Sequence, residues 1–151
     1  MTPRTYIAAL VVAGLGLAPS VRAAGPLEPF TVTGDRISRP LGGMRGDAGR
    51  GKAIVFNPEA GNCAICHRVP GGDARFQGDV GPSLAGVAGR LDEGQIRLRL
   101  VDGTRLNPDT IMPAYYRVEG LRRVREKYAG KPVLTTAEIE DVVAFLMTLK
   151  E

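Results

Sequence analysis

From residue 135 onward the apolar residues fall at helical spacing. Ile139, Val142, Val143, Leu146 and Leu149 share one face, and Thr135-Thr136-Ala137-Glu138 forms a capping box that starts the helix. Glu140 and Asp141 are expected on the opposite, solvated side. A second helix is predicted over residues 91–101, capped by Asp92 and ended by Asp102-Gly103. Ile96, Leu100 and Val101 would point inward there, and Arg97 and Arg99 outward. A shorter one starts near Asp47, carries Ala48, Ala53, Ile54, Val55 and Phe56, and stops at Asn57-Pro58. Residues 120–128 suggest a basic helix with Leu121, Val124 and Tyr128 on one side and Gly130 at its stop. The arginines at 122, 123 and 125, with Lys127, are either a solvated face or a docking patch for an acidic partner. No strand pattern and no repeat competes, so the expected architecture is all-α.

The N-terminal pattern is different in kind. Arg4 precedes residues 6–18, a run of 13 without charge. Pro19-Ser20 breaks the run, and Val21-Arg22-Ala23 offers small residues for a cut. The expectation is a signal peptide over residues 1–23, and so export to the periplasm. The run is short for a membrane span, which takes roughly 20 apolar residues, so no membrane segment is expected after cleavage. Residues 24–46 follow as an irregular arm punctuated by Pro and Gly, and 47–151 as the folded domain.

Losing Arg4 and Arg22 takes the formal charge from +4 to +2. With no Trp and no basic run interleaved with aromatics, nucleic acid is not an expected partner. Aromatic residues make up only 5% of the chain, so its own core is thin. A large, flat, apolar cofactor would thicken it.

The chemistry is concentrated in Cys63-Ala64-Ile65-Cys66-His67. This spacing is the attachment signature of a c-type haem. Two thiols on one turn reach two vinyl groups as thioethers, and the adjacent imidazole supplies an axial nitrogen to the iron. A structural zinc site needs four ligands, and the chain has three Cys and His residues in all. A thioredoxin-like pair expects a βαβ setting that the flanks do not offer, and a plain disulfide leaves His67 without a reason.

Because His67 is the sole histidine, a second axial ligand has to be something else, with methionine next in line. Met112 sits in a loop 45 residues on, between Pro108 and Pro113, where the following proline holds it extended. Met44 in its Gly-rich stretch, a lysine, or an open site are the alternatives, while Met147 reads as core of the last helix. Arg75, Arg90, Arg97 and Arg105 are candidates for meeting the haem propionates. Tyr115 and Tyr116, together with the arm, are candidates for an apolar docking face or for ordinary packing.

The order of N-terminal helix, haem motif, Gly81-Pro82-Ser83-Leu84, Met112-Pro113 loop and C-terminal helix resembles class I cytochrome c from about Asp47 to the end. The resemblance implies that the Pro82 carbonyl holds the second ring nitrogen of His67 and tunes the iron. Three blocks resemble more narrowly the SoxX branch, the monohaem cytochromes of thiosulfate-oxidising SoxAX complexes. They are Asp79-Val80-Gly81-Pro82, Leu98-Arg99-Leu100-Val101-Asp102 and residues 107–115, with an insertion over 117–132. That branch implies a heterodimer with a SoxA-type cytochrome, acting as an L-cysteine S-thiosulfotransferase on a SoxYZ-type carrier protein. A soluble cytochrome c would accept the electrons.

Both cysteines would be consumed by thioethers, leaving no thiol to carry sulfur. The chain would then be a non-catalytic electron-transfer subunit. The other readings are a free-standing electron shuttle and a sensor or haem enzyme with an open sixth site.

Overall fold

The computed structural model describes residues 27–150, so the expected signal peptide lies outside the described residues. Four α-helices carry the fold: α1 (Ala48–Phe56), α2 (Val87–Arg90), α3 (Glu93–Asp102) and α4 (Thr136–Leu146). Among the described residues there is no strand, only an isolated bridge between Thr33 and Arg36. No described helix is long and apolar enough to cross a membrane.

Each main helix starts where a side chain can satisfy its free N–H groups. Asp47 accepts from the Arg50 N–H at 2.8 Å to begin α1. Asp92 and Gln95 form a reciprocal box at α3, and Thr135 and Glu138 form another at α4. The last helix stops at Leu146, and Leu149 is buried just beyond it.

Helices α1 and α4 pack closely, with Val55, Ile139 and Val142 fully buried between the elements. The close approach needs glycine. A Cβ on Gly51 would run into the Asp141 carbonyl of α4, and one on Gly46 into the Glu140 carbonyl. Helix α3 contributes Ile96, Leu98, Leu100 and Val101 from a second side.

Three charged residues expected in solvent are inside. Arg97 is 1% exposed, and Glu140 and Asp141 are 3% exposed. Arg97 Nε and a terminal guanidinium nitrogen donate to the two Glu140 carboxylate oxygens at 2.8 and 2.9 Å. The other terminal nitrogen donates to the Ile37 carbonyl at 2.7 Å, and Glu140 also accepts from the Leu41 N–H at 2.9 Å. Asp141 accepts from Nε and one terminal nitrogen of Arg50, both at 2.7 Å, and from the Asp47 N–H at 2.7 Å. The burial is tolerated because most of the buried carboxylate and guanidinium capacity is used. Arg99 is half-buried at the surface.

The same contacts draw the arm into the core. Its described part is irregular apart from a 3-10 turn at Leu41–Gly43, but Ile37 and Leu41 are core residues. Residues 120–128 form no α-helix. Only a 3-10 turn, Glu126–Tyr128, interrupts an extended course with left-handed φ at Gly120 (68°), Arg123 (56°) and Gly130 (66°). Leu121, Val124 and Tyr128 are not buried, so no packed face sustains a helix there.

Candidate haem-attachment site

The attachment motif begins as α1 ends. Asn57 caps the helix, and the chain turns back through Asn62, held left-handed at φ 47°. A 3-10 turn, Cys63–Ile65, then carries the motif, with Cys66 closing the turn and His67 directly after it. The Cys66 and His67 N–H groups both donate to the Cys63 carbonyl, at 3.2 and 3.0 Å. The two cysteines are not bonded to each other. Cys63 is 8% exposed, whereas Cys66 and His67 are half-buried. Burial pushes the Cys63 thiol up to about 11, partly offset by the Tyr115 hydroxyl beside it.

His67 Nδ1 lies 2.7 Å from the Pro82 carbonyl oxygen. A carbonyl only accepts, so Nδ1 carries the proton and Nε2 keeps its lone pair free for a metal. The loop that presents Pro82 is fastened on both sides. Gly81 N–H donates to Cys66 O at 2.8 Å, and Leu84 N–H to Arg68 O at 2.9 Å. Gly81 has to be glycine, because a Cβ there would overlap the His67 ring. Arg90, at the end of α2, reaches back to the Ser83 and Ala85 carbonyls, both at 2.7 Å. That bracing role for Arg90 was not legible from the sequence, where it counted only as a propionate candidate.

Arg97 is withdrawn from the propionate candidates by its bond to Glu140. Arg75 is engaged by Asp73, and Arg105 lies over the Phe30 ring.

Met112 is partly buried against the core, on a loop whose Met112 N–H donates to Thr110 Oγ1 at 3.2 Å. Of the other methionines, Met44 is exposed and Met147 packs against the core. The loop is tied to the attachment turn through Tyr115, whose hydroxyl donates to the Gly61 carbonyl at 2.9 Å. Tyr115 and Tyr116 are 7% and 2% exposed, so packing, not docking, accounts for them. Tyr116 spans a different gap, with its hydroxyl shared with Thr136 at 2.7 Å and accepting from the Glu28 N–H at 2.8 Å.

Large aliphatic side chains stand free beside the site residues. Ile65, between the cysteines, is 61% exposed. Val80, next to the Gly81-Pro82 pair, and Ile111, next to Met112, are 66% and 79% exposed.

A thiol pair on one turn, an imidazole with Nε2 free, and a glycine that admits the ring all suit a covalently attached haem. The comparisons agree: residues 48–150 match the cytochrome c family model, and the chain belongs to that family. Its fold is the all-α class I cytochrome c fold, and its cofactor is a covalently bound haem c. The particular likeness is to SoxX: the chain is 34% identical to a chain of the crystal structure of SoxXA from P. pantotrophus. The match covers 81% of this chain and 95% of that one, with a TM-score of 0.74. No curated protein sequence matches it.

Proposed function

We propose that this chain is the electron-transfer subunit of a SoxXA-type complex, exported to the periplasm. There it serves oxidative coupling of thiosulfate to a carrier-protein cysteine. The observation that carries the reading is the 34% identity over 95% of a chain from SoxXA. A soluble cytochrome c is the class of acceptor proposed.

In this reading Cys63 and Cys66 would anchor the haem through thioethers, and His67 Nε2 and the Met112 sulfur would hold its iron. Once bound, the haem iron stores and releases one electron, and methionine ligation tends to raise its potential. The residues supply the rest. Pro82 fixes the imidazole tautomer and orientation, Arg90 and the Gly81 hydrogen bond hold Pro82 in place, and the buried Cys63 side keeps water from the anchor. No free thiol remains on the chain, so the sulfur chemistry belongs to the partner. Joining two sulfurs oxidatively releases two electrons, so each coupling needs two turnovers of this centre or a second redox centre.

The test is the oxidised near-infrared spectrum of the exported, haem-loaded protein, with and without Met112→Ala. A sulfur-to-iron charge-transfer band that disappears in the variant is expected, as is copurification with a SoxA-type cytochrome. A band retained in Met112→Ala, or a haem-loaded chain that stays monomeric beside that cytochrome, overturns the corresponding part.

A further inference from the structure

Tyr115 is joined to three separate parts of the molecule. Its N–H donates to the Leu100 carbonyl in α3 at 3.0 Å. Its own carbonyl accepts from the Leu134 N–H, just before α4, at 3.0 Å. Its hydroxyl crosses to the Gly61 carbonyl at 2.9 Å, two residues ahead of Cys63. The side chain is buried and lies beside the Cys63 thiol.

Gly61 is itself enclosed. A Cβ on it would sit 3.0 Å from the Ile54 carbonyl of α1 and 3.4 Å from Cys63 Sγ. The tyrosine therefore grips the attachment turn where that turn is pressed against α1. Met112 lies three residues upstream, with only Pro113 and Ala114 between. On the other side of Met112 the hold is weaker: its N–H has the Thr110 hydroxyl as acceptor, and Ile111 is exposed.

From this geometry we infer that Tyr115 is a positioning residue that ties the Met112 loop to the haem-attachment turn and so governs how readily Met112 leaves the iron. The inference rests on Met112 being the sixth ligand. Dissociation requires the loop to swing, and a loop fixed at Tyr115 has only residues 110–114 with which to do so. Removing the hydroxyl leaves the aromatic ring and both backbone bonds of Tyr115 in place but strands a buried carbonyl at Gly61 and cuts the direct tie between the Met112 loop and the attachment turn.

The experiment titrates the ferric, haem-loaded protein with imidazole, following loss of the sulfur-to-iron band, in wild type, Tyr115→Phe and Tyr116→Phe. Tyr116 is the control because the hydroxyl it loses bonds Thr136 and the Glu28 N–H and makes no tie to the attachment turn. Tyr115→Phe is expected to bind imidazole about tenfold more tightly, the equivalent of one buried hydrogen bond. Tyr116→Phe should bind as wild type does, even where its thermal stability falls. Equal imidazole affinity in wild type and Tyr115→Phe, or an equal rise in both variants, overturns the inference while the Met112 ligation stands. A wild-type protein without the band overturns both.

Hydrogen exchange of wild type with and without imidazole gives a second, mutation-free reading. The Tyr115 and Leu134 amides should stay protected when imidazole displaces Met112, while the Met112 amide loses protection. Loss of protection at Tyr115 on displacement overturns the inference.

Discussion

Replacing Glu140 by leucine removes one carboxylate and leaves three donors behind. Two belong to Arg97, whose side chain is 1% exposed, and the third is the Leu41 N–H. The stranded guanidinium keeps its bond to the Ile37 carbonyl and has Glu93 at 3.8 Å, but Glu93 is 63% exposed and screened by water. Breaking a buried pair from one side costs about 3–5 kcal/mol. For a domain of this size that lowers the melting temperature by about 10–20 °C.

The double variant Arg97→Met, Glu140→Leu removes both charges together. Only the Leu41 N–H and the Ile37 carbonyl then lose partners, at about 1 kcal/mol each, so the double variant should be more stable than Glu140→Leu alone. Urea unfolding of the haem-loaded protein, followed by far-ultraviolet circular dichroism, gives the four free energies of the cycle. A loss under about 1 kcal/mol in Glu140→Leu, or a double variant as unstable as the sum of the singles, refutes the claim that this pair is a buried, mutually dependent unit.

The remaining predictions concern the imidazole loop and acid stability. Gly81→Ala places a methyl where the His67 ring lies, so the ring must turn away from Pro82. The expected results are less haem incorporated during maturation and, in what forms, a shifted reduction potential by spectroelectrochemistry; a wild-type potential and yield contradict the loop geometry. Arg50 hydrogen-bonds the buried Asp141 carboxylate and holds it below the usual carboxylate range. Its contribution to stability is present above the unfolded value near 4 and is lost as pH falls through the lower folded value. Asp141→Asn should therefore be less stable than wild type at neutral pH, with the gap narrowing in urea midpoints taken down to strongly acid pH. A gap that does not change with pH argues against the pairing.

The parts of this fold that sequence reveals are those decided within one turn of chain. The Thr135 and Asp92 boxes, the Asp47 cap and the haem motif all lie within five residues, and the structure has the helices starting there. The misreadings share a cause in long-range partners. Arg97 and Glu140 were assigned to solvent because each is charged, and their burial is licensed only by a mate 43 residues away and by backbone from the arm. Residues 120–128 have fair helix formers but find nothing to pack against, and helix propensity alone does not hold so short a segment. Tyr115 stays open between docking face and packing in the sequence because the hydroxyl acceptor at Gly61 is 54 positions away. Within the site, Cys63, Cys66 and His67 were legible as a motif, whereas the bracing by Arg90 and the glycine demand at 81 emerge only once the loops are folded.

The near-complete burial of Cys63 also bears on the order of events during maturation. Its sulfur lies behind α1, Gly61 and the Tyr115 hydroxyl, and its proton is held more tightly than a free thiol's. Closure of that wall requires Tyr115 to reach Gly61 from 54 positions further along the chain, against an α1 that is itself packed on α4. Such distant pairings form late and slowly. The interval before they form is when both thiols stand open to a haem and to the machinery that links it. A variant that hastens closure would thus be expected to trap apoprotein, and one that delays it would lengthen the time available for attachment.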